Sequence, residues 1–180
     1  MLEAFRRRRR NREVVERLWD DIVLRARQPE RFEQGGLPDT VLGRFESLGL
    51  ETFLFLRRCS NDPRLTELSQ DVVDRFMTDL DHSMRELGVG YLAVPKRMRK
   101  LAGRFYARVQ ALEAPLALRD RNALAHALCD TVFRDAEGGD PSKAPQLADQ
   151  LVAGSDWFDR LPVDSILTGQ ISPSTKGFGR

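Results

Sequence analysis

The chain's imidazole and thiol groups are its first candidates for chemistry: Cys59, His82, His126 and Cys129. His126 and Cys129 stand three apart, so a helix would carry both on one face. Zinc centres draw their ligands as close pairs from two loops or helix ends, and here only one pair is close. Cys129 also falls beside an apolar stripe, which favours reduced, buried thiols and ordinary histidines, with no metal. Asp79 and Asp81 are a second candidate. Two residues apart on a helix, they point to different sides and form no acid–base dyad by themselves. A nucleophile needs a base within hydrogen-bond reach, and neither serine nor cysteine has a sequence context that announces one, so no catalysis is expected. The Gly88-Val89-Gly90 turn is too short for a phosphate cradle, and no strand precedes it. Neither a cofactor nor a small-molecule substrate is therefore expected.

The elements that would position these residues are helical. From Glu13 to Gln28, Val15, Leu18, Trp19, Ile22, Val23 and Ala26 recur at helical spacing until Pro29 stops the pattern. A second helix starts after Pro38, with Asp39 or Thr40 as its cap and Val41, Phe45, Leu48, Thr52, Phe53 and Leu56 facing inward, and ends near Cys59. Asp62-Pro63 opens a third, whose stripe runs from Leu65 to Leu87 and stops at Gly88. Pro95 opens a fourth, which Pro115 closes or kinks. A weaker fifth spans about Leu118 to Phe133, and a sixth about Ala144 to Trp157. The expectation is all-α: a single compact, bundle-like domain of about six helices over residues 13–162. A basic arm (1–12) precedes it and a flexible tail (163–180) follows.

Two loops remain that this scheme does not explain by itself. One is Gly36-Leu37-Pro38-Asp39-Thr40-Val41-Leu42-Gly43-Arg44-Phe45-Glu46; the other runs from Asp79 through Gly88-Val89-Gly90 to Lys96-Arg97. A plain reading makes Pro38 a turn residue and Asp39 a cap, with Arg44 and Glu46 on the flank of the helix. Asp79 and Asp81 offer themselves as partners for Arg44 in a structural ion-pair network. The two segments lie about forty residues apart, with Phe105-Tyr106-Ala107-Arg108 following. In that order they resemble the ubiquinol-cytochrome c chaperone family, whose run is GVPDT-x-x-GRFE, then D-x-D-x-x-LRE-x-GVGD, then PKR and FYGR. The resemblance covers about Trp19 to Leu112. It departs at Tyr91, where the family places an acid, and at Ala107, where it places glycine.

The resemblance implies a chaperone that binds newly made cytochrome b and assists assembly of the quinol to cytochrome c oxidoreductase. A helical domain with an apolar groove beside charged loops would shield a client's apolar helices. The residues it brings forward for client or partner contact are Asp39, Arg44, Glu46, Asp79, Asp81, Arg85, Lys96, Arg97, Tyr106 and Arg108. It further implies a small partner protein and work at the ribosome.

Charge carries a separate signal. Residues 1–12 hold Arg6, Arg7, Arg8, Arg9, Arg10 and Arg12 against Glu3, a net +5; with +2 for the whole chain, residues 13–180 carry −3. Such an arm suits an anionic membrane surface, ribosomal RNA or an acidic client segment, and Leu2 and Phe5 add apolar anchors. Runs of about 18 apolar residues, the length a membrane helix needs, are absent. No secretory pattern follows the arginines. The expected place is the cytoplasm, peripheral at the cytoplasmic face of the inner membrane. Two alternatives stand beside the chaperone reading: an RNA- or ribosome-binding module that uses the arm, and a lipid- or quinone-binding protein with Phe53, Phe55, Phe76 and Tyr106 around a cavity.

Overall fold

The computed structural model describes residues 2–134 and 136–171, with side chains from residue 11 onward. Eight α-helices follow in order among the described residues: α1 (Leu2–Ala26), α2 (Glu30–Glu33), α3 (Val41–Ser60), α4 (Thr66–Glu86), α5 (Val94–Ala117), α6 (Arg121–Leu128), α7 (Ala144–Asp159) and α8 (Val163–Leu167). No strand occurs among them, and the all-α expectation holds.

Helix α3 is the axis of the packing. It touches α1, α4 and α7, and Leu50, Phe53, Leu54 and Phe55 are almost wholly buried along it. Helix α1 turns Leu18, Trp19 and Ile22 inward; α4 contributes Val72 and Phe76, and α7 contributes Leu147, Leu151 and Phe158. The aromatic centre is Phe76, which meets Trp19, Phe45 and Phe105 at centroid distances of 5.9, 6.2 and 5.1 Å. Phe53, Phe55 and Phe76 therefore fill the core, Phe53 beside a void of only about 10 Å³ that the other two and Tyr106 do not line, while Tyr106 is half-exposed. This removes the observation behind the quinone-site alternative.

The departures from the periodic reading have local causes. Helix α1 begins at Leu2 and not at Glu13, because residues 2–12 contain neither glycine nor proline and are rich in good helix formers. The basic arm thus forms the first turns of α1; the side chains of Arg6 to Arg10 lie outside the described residues. Asp62 caps a single 3-10 turn, Pro63–Leu65, before α4 starts. Its carboxylate accepts from the Arg64 guanidinium and backbone N–H, which holds its pKa down to about 2. Helix α6 starts later than expected, capped by Asp120, and widens into a π turn at Cys129–Phe133. Part of the expected tail is also structured. Val163–Leu167 forms α8, with Ile166 and then Ile171 buried against the core. The rest of that tail, residues 172–180, lies outside the described residues.

Burial pushes the Cys59 thiol up to about 12, with Arg58 opposing weakly, whereas Cys129 is only partly buried. A thiol is reactive only as thiolate. Native protein near about pH 8 should consume one equivalent of a thiol–disulfide reagent, and a second only on denaturation; two rapid equivalents would contradict the packing of Cys59.

Candidate binding groove

The Pro38 turn sets the first wall of the site. Thr40 accepts from the Gly43 N–H at 3.2 Å and so caps α3, which leaves Asp39 free of that task. Asp39 instead accepts from Arg44 Nε at 2.7 Å, one helical turn on. Both side chains are largely exposed, and this contact holds the Asp39 carboxyl below its ordinary range. Arg44 pairs with neither Asp79 nor Asp81, contrary to the network inferred from sequence. Those two acids are taken by cations on their own helix, Asp79 by Arg75 at 3.1 Å and Asp81 by Arg85 at 2.6 Å. Intrahelical i,i+4 spacing satisfies them before α3 can reach them.

Glu46 does not lie on an exposed flank. It is 1% exposed and its Oε1 accepts from Arg108 Nη2 at 2.6 Å, with Arg108 only 5% exposed. Arg108 also donates to the Thr131 carbonyl in the π turn, at 3.3 Å. A second buried acid on α3, Glu51, accepts from both Arg25 and Arg31. The Arg25 guanidinium lies 3.8 Å from the centroid of the Trp157 ring. These pairs tie α3 to α1, α2 and α5 and belong to the frame of the molecule.

Between α1, α3, α4 and α5 an apolar groove of about 350 Å³ opens to solvent. Val23, Phe32, Phe45 and Leu48 line it, with Leu80, Met84 and Leu101 opposite. Val41, Leu42 and Leu87 stand at its mouth, 56%, 40% and 58% exposed, and Arg27, Arg44, Asp79 and Glu86 complete its charged rim. Of the residues singled out from sequence, the groove gathers Arg44 and Asp79. Asp39 joins them only through Arg44. Lys96, Arg97 and Tyr106 do not line it, Arg85 pairs with Asp81 at its side, and Arg12 is exposed far along α1. By their spacing alone Val41 and Leu87 belong to the core. An apolar position on the core period that the core leaves uncovered marks the groove, and such a position is invisible without the neighbouring helices.

No three His, Cys, Asp or Glu side chains converge as a metal site among the described residues. No helix among them is long and apolar enough to cross a membrane.

The body is all-helical, with an open apolar groove and a charged rim. The family model described as ubiquinol-cytochrome C chaperone matches residues 33–174. The chain belongs to the ubiquinol-cytochrome c chaperone family. Its match extends well beyond Leu112, where the resemblance in the loops ends, and takes in α6, α7 and α8. The crystal structure of the Cbp3 homolog from Brucella abortus is similar over 95% of this chain and 94% of that chain, with 40% identity and a TM-score of 0.81. Among curated proteins no match was found.

Proposed function

We propose that this protein holds newly made cytochrome b during assembly of the ubiquinol-cytochrome c oxidoreductase, complex III, with an apolar helical segment of the client seated in the α1–α3–α4 groove. The observation that carries this reading is the exposure of Val41, Leu42 and Leu87 around a groove lined by apolar side chains. A hydrophobic helix released from synthesis needs such a surface until its haem and partner subunits arrive, and the charged rim would orient its polar ends. Binding without catalysis suffices for this work. The reading places the protein at the cytoplasmic face of the inner membrane, with the arginine-rich start of α1 available to the ribosome, to a small partner protein or to anionic lipid.

The test is a deletion strain grown where the complex is required, complemented with Leu42→Glu/Leu87→Glu. Both positions are exposed, so the melting temperature should stay close to that of the parent, within the roughly 0.5 kcal/mol usual for surface changes. The cytochrome b haem absorbance of the membranes should fall several-fold. A photoreactive residue at position 42 should crosslink to cytochrome b. Normal cytochrome b in the full deletion strain would sink the reading and favour an RNA-binding role for the arginine-rich helix.

A further inference from the structure

Helix α5 begins with charges of the wrong sign for its own dipole. The N-terminal end of a helix carries a partial positive charge and is stabilised by acids. The first turn of α5 holds no acid, and Lys96, Arg97, Arg99 and Lys100 crowd its first two turns, all exposed. Among the described residues none of the four has an ion-pair partner. Residues 81–104 carry six cations against Asp81 and Glu86, a net +4 in a chain whose total is +2. The arrangement destabilises the free helix end and becomes favourable when an external anion covers it.

The turn that leads into α5 supplies the second observation. Gly88, with φ +75°, lets the chain leave α4, and the Val89 and Ala93 N–H groups bond back to the Met84 and Gly90 carbonyls at 3.1 and 2.8 Å. Val94, 1% exposed, anchors the far side. A turn held at both ends in this way lifts Tyr91 and Leu92 off the body, 76% and 92% exposed. The Arg85 guanidinium lies 5.4 Å from the centre of the Tyr91 ring. Apolar side chains raised on a fixed turn and flanked by cations match an interface with acyl chains below and anionic headgroups around. Nucleic acid would use the cations and the tyrosine, but it gives Leu92 nothing to bury against.

We infer that the Gly88–Ala93 turn and the first two turns of α5 form a docking tip for a bilayer rich in anionic phospholipid, with Tyr91 and Leu92 inserted and Lys96, Arg97, Arg99 and Lys100 on headgroup phosphates. The tip is separate from the groove and does not depend on what the groove holds.

The full chain, with Leu92→Cys in a Cys129→Ser background, would be labelled at position 92 with an environment-sensitive fluorophore. It would then be mixed with vesicles of equimolar phosphatidylglycerol and phosphatidylcholine, and with vesicles of phosphatidylcholine alone. The label should shift to the blue on the anionic vesicles only, and should do so equally after removal of residues 1–12. Lys96→Glu/Lys100→Glu should weaken vesicle binding by roughly tenfold or more, and added salt should weaken the parent in the same direction. Tyr91→Asp/Leu92→Asp, at positions too exposed to unfold the domain, should abolish what remains after arm removal. A label that stays solvent-like while the protein sediments with vesicles would overturn the proposal. So would a charge-reversed variant that loses binding to a single-stranded RNA while holding vesicles as before.

Discussion

Glu46→Ala should lower the stability of the protein by about 3–5 kcal/mol, the usual loss when one partner of a buried ion pair is removed. Glu46 and Arg108 meet at 2.6 Å beneath Phe45, whose ring centroid lies 5.8 Å from the guanidinium. Deleting the carboxylate takes a charge partner from a guanidinium that is only 5% exposed, and the contacts Arg108 keeps, its hydrogen bond to the Thr131 carbonyl among them, offset only part of that cost. Replacing both partners removes the unbalanced buried charge, so Glu46→Leu/Arg108→Met should lose less than Glu46→Ala, the Thr131 carbonyl and the other contacts of Arg108 being the part not recovered. Denaturant melts of the two variants decide this. A Glu46→Ala protein as stable as its parent would show that the carboxylate is not needed to neutralise Arg108.

Gly43→Ala comes second and acts through shape alone. A Cβ at Gly43 would stand 1.8 Å from the Pro38 carbonyl oxygen. That oxygen cannot retreat cheaply, because it accepts from the Thr40 N–H at 2.8 Å and its turn is held at Gly36, whose carbonyl accepts from the Asp140 N–H at 2.9 Å. Leu37, 2% exposed, pins the same turn from below. Overpacking of this kind costs about 1–3 kcal/mol. Hydrogen exchange should show the opening confined to residues 36–44, with the groove mouth at Val41 and Leu42 displaced and cytochrome b reduced beyond what the melt accounts for. Gly103 is the control: open space surrounds it in mid-helix, so Gly103→Ala should stabilise by about 0.5–1 kcal/mol. Equal losses at both glycines would point to helix propensity and away from the Pro38 contact.

The long helices were legible because their stripes obey one period: α1, α3, α4 and α5 lie where Leu18, Phe53, Phe76 and Phe105 predict them, and α7 covers the expected window of about Ala144 to Trp157. Helices α2 and α8 were not legible, since four or five residues contain no repeat to detect. Nor was the π turn, within which Val132 and Phe133 are buried. The loops that carry the resemblance led to the family that the comparison shows, while the pairings within them differ from those read off the sequence. Arg44 had several acids in prospect, and sequence order alone could not say that Asp39 lay closest. Glu46 was placed on an outer flank because a helical wheel presumes a solvent side. Helix α3 has almost none over its middle turns, so its two acids, Glu46 and Glu51, meet their cations inside. An apolar groove beside the charged loops is expected from sequence, but not its lining: Val41 and Leu87 look like core until one sees that no neighbour covers them.

The central position of α3 bears on how the protein is made. Its sides are closed by α1 from earlier in the chain and by α4 and α7 from later, and Leu54 and Phe55 wait for Gly154 and Phe158 roughly a hundred residues downstream. The stretch emerging first, α1 to α3, would hold two unmatched greasy faces. Protease resistance during translation should therefore arrive late and all at once, when α7 clears the exit tunnel. Until then the nascent chaperone is itself an unfinished polypeptide, exposed to the same hazards as the client it is proposed to shield.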